Sequence, residues 1–340
     1  CVAAIGAPCA FGGINQNLGQ TFFLFPIGRA VYNALQMKLS QNVANPVRGI
    51  KALNFQIAYS LSRYENSGGA AVTGTAADSD QDFVIQAADN NRPNRFFGPN
   101  LLDRTHQISF GGYVNVPFGF TLSIASHFYS PLSSSLLMPT PGGSGEVLKT
   151  DFTGDGFTQD PLPGTKLGNF DRGINASEIN TFLNQYNSTV ANQPTPAGQA
   201  LVSSGLMTVS QLQALGGVAP TFVADPSTQC GGAGQPVNCL PLAPPDQVDF
   251  PWLRAMDLKL AWRHTFKEKL SIEPSIGFYN IGNFANFNLP PNTMTGLLQG
   301  GGAINGTGRA GQDTFRVGNG TGVYSLGAPR QLEWGLRLTF

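Results

Sequence analysis

Seven stretches of the chain alternate apolar and polar residues. Alternation with a period of two is the mark of strands, whose side chains point to opposite faces in turn. In the last stretch, 331–340, Leu332, Trp334, Leu336, Leu338 and Phe340 share one face, opposite Gln331, Glu333, Gly335, Arg337 and Thr339. The same parity predicts strands over 29–40 and 50–63, led by Leu35, Met37 and Leu39 and by Leu53, Phe55, Ile57, Tyr59 and Leu61. It predicts two more over 104–116 and 119–129, led by Ile108, Phe110 and Val114 and by Phe120, Leu122, Ile124 and Phe128. In 253–266, Met256, Leu258, Leu260 and Trp262 oppose Asp257, Lys259 and Arg263. In 269–281, Leu270, Ile272, Ile276 and Phe278 oppose Ser271, Glu273, Ser275 and Tyr279. Each stretch is about ten residues or slightly longer, enough to cross a bilayer at a tilt.

The links between these strands decide which all-β architecture to expect. Short links (41–49, 117–119 and 267–268) alternate with long ones (64–103, 130–252 and 282–327), so every long link emerges on one side. Outer-membrane barrels show this asymmetry, with short periplasmic turns and long extracellular loops. A sandwich has no reason to sort its links this way, and structureless links of this length are uncommon. The expectation is an antiparallel transmembrane β-barrel segment of about seven strands, a partial barrel in the bacterial outer membrane. Its polar faces, with Lys259, Arg263, Glu273, Glu333 and Arg337, then line the lumen. The longest link carries helical spacing over 175–190, with Ser177 as a cap, and further short helices over 195–205 and 208–215. Such helices more often pack a loop or cap a lumen than bind a partner.

Composition agrees with a barrel. Charged residues are 12% of the chain, about half the usual share for a soluble domain. Mean hydropathy is −0.06, with no run approaching the roughly 18 apolar residues of a spanning helix. A secreted, soluble, glycine-rich β protein has a similar composition and stands as an alternative. Net charge is zero and no basic cluster occurs, so nucleic acid is not an expected partner. The chain begins at Cys1 with neither Met nor signal peptide, which suggests a processed product or a fragment. The cysteines form two close pairs, Cys1/Cys9 and Cys230/Cys239, in Gly/Pro/Asn surroundings without a nearby His. Local disulfides in an oxidising compartment fit them better than a metal site.

Several strings carry a family resemblance. They are Tyr32-Asn33-Ala34-Leu35-Gln36, Leu102-Asp103-Arg104-Thr105-His106 and Asn115-Val116-Pro117-Phe118-Gly119. With them go Tyr279-Asn280-Ile281-Gly282-Asn283-Phe284-Ala285-Asn286-Phe287 and the closing Gly327-Ala328-Pro329-Arg330-Gln331 and Leu336-Arg337-Leu338-Thr339-Phe340. Together they resemble the C-terminal half of the barrel in Oar-like TonB-dependent receptors, whose full-length members often carry a carboxypeptidase-regulatory-like domain. The resemblance implies a plugged, many-stranded outer-membrane transporter. Its partners would be outer-membrane lipid, an extracellular ligand, a TonB-type energy-coupling system and the barrel-assembly machinery, which recognises the position of Phe340. Residues 1–340 contain no plug, TonB box or regulatory domain, and about seven strands are fewer than the smallest bacterial barrel. The expectation is therefore a C-terminal segment that needs the rest of its barrel and plug. A surface adhesion or assembly protein without transport is the alternative within the same membrane.

The chemistry is sparse. Asp151, Thr153, Asp155 and Asp160 match the opening of a calcium loop, with Gly156 at its sixth position. Leu162 stands where the closing Glu belongs, and an Asx-rich turn explains the same residues. Structural calcium is the one cofactor considered. Gly306-Thr307-Gly308-Arg309-Ala310-Gly311 fits a dinucleotide pattern without its βαβ unit and is expected to be loop. His106, His127 and His264 lie on three separate strands, and no nucleophile–base spacing is recognisable, so no catalytic residues are expected. Arg92, Arg95, Phe96, Phe97 and Arg104 could meet a ligand at the extracellular mouth, although such clusters also pack ordinary loops.

Overall fold

The computed structural model describes residues 28–67, 89, 91–100, 102–138, 147–155, 160–170, 176–224, 229, 239–242, 252–266, 270–286 and 328–340. The chain is all-β, built on one antiparallel sheet. Its long strands are β1 (Ala30–Val47), β2 (Ile50–Asn66), β4 (His106–Asn115), β5 (Phe120–Tyr129), β8 (Leu253–Trp262), β10 (Leu270–Tyr279) and β11 (Gln331–Thr339). They lie side by side in that order, so the sheet is a meander in which successive links leave at opposite ends. Two short strands extend it: β3 (Gly98–Pro99) pairs with β2, and β9 (His264–Phe266) pairs with β10. The edges are β1 and β11, and the sheet does not close on itself among the described residues.

Each long strand coincides with an alternating stretch, but the boundaries differ where pairing outruns the pattern. β1 continues to Val47, through residues 41–47 that the sequence assigns to a link. The ladder bonds are made by backbone, so Asn42 and Ala44 pair with Asn54 and Ala52 without any apolar alternation. The chain then turns on Arg48 and Gly49, and Gly49 has φ +93°, which glycine adopts without strain. The other described short link, Pro117–Gly119, is a 3₁₀ turn with Phe118 and Gly119 at positive φ. The stretch 253–266 is split at Arg263, whose N–H donates to the Gly119 carbonyl instead of continuing the ladder. β10 stops at Tyr279 because Asn280, at φ 45°, turns the chain. The link at 267–268 lies outside the described residues.

The insertion between β5 and β8 is a folded unit in its own right. It contains α1 (Val147–Thr150), α2 (Ala176–Thr189), α3 (Pro196–Ser203) and α4 (Val209–Ala214), with a small parallel pair, β6 (Thr221–Val223) and β7 (Cys239–Pro241). Ser177 lies inside α2 and is not its cap. Thr195 caps α3, and Thr208 caps α4 in a reciprocal box with Gln211. The spacing of Ile179, Leu183 and Tyr186 puts one face of α2 against Phe222, Leu240, Met138, Leu162 and Phe170 in a dry core. The Tyr186 ring meets Phe152 and Phe222 edge to face. Among the described residues its buried hydroxyl has no hydrogen-bond partner, and burial pushes its pKa well above the ordinary value.

That orphaned hydroxyl gives a first test. Tyr186→Phe keeps the ring contacts and removes an unmet polar group, so the insertion should be as stable or gain about 1 kcal/mol. Phe222→Ala, which empties the same packed site, should cost about 3–5 kcal/mol. Protease protection of the insertion against urea concentration, in the full chain, measures both.

Candidate functional site

In an antiparallel pair, directly opposed residues lie on the same face, so the registers can be chained from edge to edge. Val43 faces Leu53, which faces Val114, then Leu122, Leu260, Ile276 and finally Trp334. One apolar residue from every long strand thus forms an unbroken row. Flanking rows repeat it, as in Leu39–Ile57–Phe110 and Ile124–Leu258–Phe278–Leu332. On β11 Trp334 is 75% and Leu336 66% exposed, Gln331, Glu333 and Gly335 beside them are half-buried, and Arg337 and Thr339 are exposed.

Aromatic rings border this apolar face at both ends. At the short-link end Phe120, Trp262, His264 and Phe266 follow one another with centroids 6.4, 5.5 and 4.4 Å apart, and the Trp262 indole donates to the Phe118 carbonyl at 2.9 Å. At the long-link end Tyr59, His106 and Trp252 stack at 6.2 and 6.0 Å. Trp252 and Trp262 are about ten residues apart, about 33 Å along the strand. At a tilt of about 40° this is about 25 Å of height, the thickness of the apolar band of an outer-membrane barrel. Charges on this face stand near its ends: Lys51 by the Arg48–Gly49 turn, and Arg63, Glu65 and Arg254 toward the long links.

The opposite face is polar and small. One row runs Asn42–Asn54–Tyr113–Ser123–Lys259–Gly277–Glu333. Glu273 faces Arg337, and the pairs flanking Arg263 set it in line with Glu273. All five charged residues chosen by parity therefore share this face. Glu333 also accepts a hydrogen bond from the Tyr279 hydroxyl at 2.5 Å. On the same face Ser109, His127 and Tyr129 form a triangle with sides of 3.0 to 3.1 Å.

At the long-link end, the residues considered for ligand contact mostly hold the structure together. Arg95 pairs with the buried Asp89 at 3.1 Å and lies over the Phe96 ring, which packs on Leu137 and Leu167. Phe97 lies beneath Arg29. Arg104 donates to the Ser130 carbonyl at 2.5 Å and covers the Tyr129 ring, and burial lowers its pKa. Its neighbour Asp103 accepts from the Tyr64 N–H at 2.6 Å. Arg92 is exposed. Between β1, β2 and β4 a cavity of about 230 Å³ opens, lined by Tyr32, Tyr64, Ser62, Gln107 and Arg104. It is the place where Arg104 could meet a small ligand.

The acidic loop forms an Asx-type turn. Asp160 Oδ2 accepts the N–H groups of Phe152 and Thr153 at 2.6 and 2.7 Å, and Asp151 Oδ1 accepts that of Gly154 at 2.6 Å. Among the described residues no group of three or more His, Cys, Asp or Glu stands together to hold a metal ion, and residues 156–159 of the loop lie outside them. Burial pushes the Asp160 carboxyl up to about 7, against the pull of its two N–H donors and with a push from Asp151 and Asp155. Cys239 is disulfide-bonded. Cys1, Cys9 and Cys230 lie outside the described residues, as does the 306–311 glycine segment.

Comparison with protein-family models, with curated proteins and with solved structures gives no match for this chain. What it can do must therefore be argued from its two faces.

Parity also holds something the sequence argument passed over. Carrying the even positions of β8 past Met256 puts Arg254 and Trp252 on the apolar face, at its border. Two of the strings that carry the family resemblance, around Asp103 and around Asn280, fasten strand ends. Asn280 bonds Phe284 and Ala328, while Asn286 takes the N–H of Arg254 at 2.7 Å and donates to its carbonyl at 2.8 Å.

The acidic turn yields a pH prediction. A carboxyl whose folded-state pKa lies above its unfolded value of about 3.8 contributes stability fully present below the lower value. That contribution is lost as pH rises through about 7. The urea midpoint of the insertion should be higher at pH 5 than at pH 8, and Asp160→Asn should abolish the difference.

Proposed function

We propose that this sheet is a section of the wall of a bacterial outer-membrane barrel of the TonB-dependent receptor type, taking part in the binding or uptake of an extracellular ligand. The observation that carries this reading is the unbroken apolar row across seven strands, exposed at Leu122, Leu260 and Trp334 and bordered by aromatic rings. In lipid that row is satisfied; in water it would leave a large apolar patch of the kind soluble monomers rarely expose. The polar face would then line the lumen, where Lys259, Arg263, Glu273, Glu333 and Arg337 stay hydrated. A ligand would enter past the folded insertion and the cavity beside Arg104. Energy would come through a plug and a periplasmic partner contributed by other parts of the protein. Strands beyond β1 and β11 would be needed, because an unpaired edge is not tolerated in the bilayer.

A second reading, surface adhesion without transport, is favoured by one feature. The insertion has its own core and capped helices, so it can present a rigid surface to a partner. A plug and TonB box in the same polypeptide, with ligand accumulation that depends on energy coupling, would favour transport. Surface binding without accumulation would favour adhesion.

The wall assignment has a direct test. An arginine on the lipid side costs about 2–4 kcal/mol at mid-membrane and little on the lumen side. Leu336→Arg should sharply reduce the detergent-extracted, membrane-assembled fraction, whereas Thr339→Arg, on the opposite face, should be tolerated. Equal losses from the two substitutions would remove the assignment of faces.

A further inference from the structure

The border of the apolar face at the long-link end has a feature that a bare lipid-facing wall does not require. Tyr59, His106 and Trp252 form a near-parallel stack, with interplanar angles of 15° and 8°, and the Tyr59 hydroxyl shares a hydrogen bond with His106 Nδ1 at 2.9 Å. Two residues past Trp252, on the same face, stands Arg254. Its side chain is exposed, its guanidinium lies 5.3 Å over the Phe284 ring, and its backbone is clamped on both sides by Asn286. Among the described residues no carboxylate makes an ion pair with it. Arg63, the other arginine at this border, is already matched by Glu65 at 3.0 Å.

Below Arg254 the same face of β8 continues as Met256, Leu258 and Leu260, beside Phe128, Ile124 and Leu122 of β5. A cation and stacked rings therefore sit directly above an apolar track. That is the outline of an amphiphile with an anionic head. A guanidinium offers paired N–H donors that match phosphate oxygens, and aromatic rings favour the boundary between headgroups and chains. We propose that this border binds the phosphate of a membrane lipid, with Arg254 holding the phosphate, Trp252 and His106 flanking it, and the acyl chains lying along Met256–Leu260. The inference rests on the membrane-wall reading and adds to it a specific anionic-lipid site.

Trp252 stands at the site and Trp334 on the wall, which allows the two to be tested separately in the assembled barrel. The quenching lost on Trp252→Phe reports the site, and that lost on Trp334→Phe reports the wall. The protein and these variants are reconstituted in phosphatidylcholine vesicles carrying a minor fraction of bromine-labelled lipid, either phosphatidylglycerol or phosphatidylcholine. One basic side chain near a membrane surface supports an anionic-lipid enrichment of up to about fivefold. Brominated phosphatidylglycerol should therefore quench Trp252 more strongly than brominated phosphatidylcholine, while Trp334 should be quenched equally by both. Arg254→Gln should bring the two quenching values of Trp252 together. Equal quenching of Trp252 by the two lipids with Arg254 present, or a preference that survives Arg254→Gln, would overturn the lipid site and leave the wall standing. Absence of quenching at Trp334 by either lipid would overturn the wall and the site with it.

Discussion

Cross-strand register is the constraint on which the rest of the structure depends. A slip of one residue in any pair exchanges the two faces of a strand, so six successive registers must all hold for Val43 to connect through to Trp334. Local devices fix them. The β1–β2 register is set by the tight turn at Gly49 together with the irregularity between Ala44 and Val47, where Asn45 has φ 51°, and that of β4–β5 by the turn at Phe118 and Gly119. Gly112 fixes the approach of β4 to β2, since a Cβ there would sit 2.5 Å from the Asn54 carbonyl oxygen. Each device is small, yet an error at one would put a lysine or glutamate row where leucines now stand.

At the other end of the strands the fastening is done by side chains. Asp103 and Arg104 tie the start of β4 to β2 and to the end of β5. Asn280 donates its N–H to Asp257 and bridges to Ala328 ahead of β11, and Asn286 locks the first turn of β8. The Asn280 and Asn286 side chains are buried and bond to backbone groups, so removing either would leave buried partners unmet.

How much of this was legible in the sequence follows from how local each signal is. Period-two alternation is a property of a single strand, so all seven long strands could be read. The caps Thr195 and Thr208 act within four residues, so α3 and α4 could be read as well. The extension of β1 to Val47 and the break at Arg263 depend on what the neighbouring backbone offers, and no local pattern records that. The same holds for the pairs made by β3 and by β6 with β7. The partners of Arg95 and Arg104, Asp89 and the Ser130 carbonyl, are chosen by tertiary packing and leave no trace in the local sequence. Arg254 is legible by parity alone, because it shares the even positions of Met256, Leu258 and Leu260.

The two parts of the chain obey opposite rules of burial. In the insertion, Leu162, Leu183, Tyr186 and Leu240 are almost wholly shielded, as water demands of apolar groups. In the sheet, Leu35, Leu39, Trp334 and Leu336 stand out, while Glu333 and Gly335 between the first apolar residues of β11 are half-buried. Water would drive the apolar row of the sheet toward a second layer, yet the insertion spends its apolar residues on its own core and leaves Trp334 uncovered. On the proposed reading, hydrocarbon around the sheet and water around the insertion would satisfy both at once. The aromatic borders and Arg254 would then fall where those two media meet.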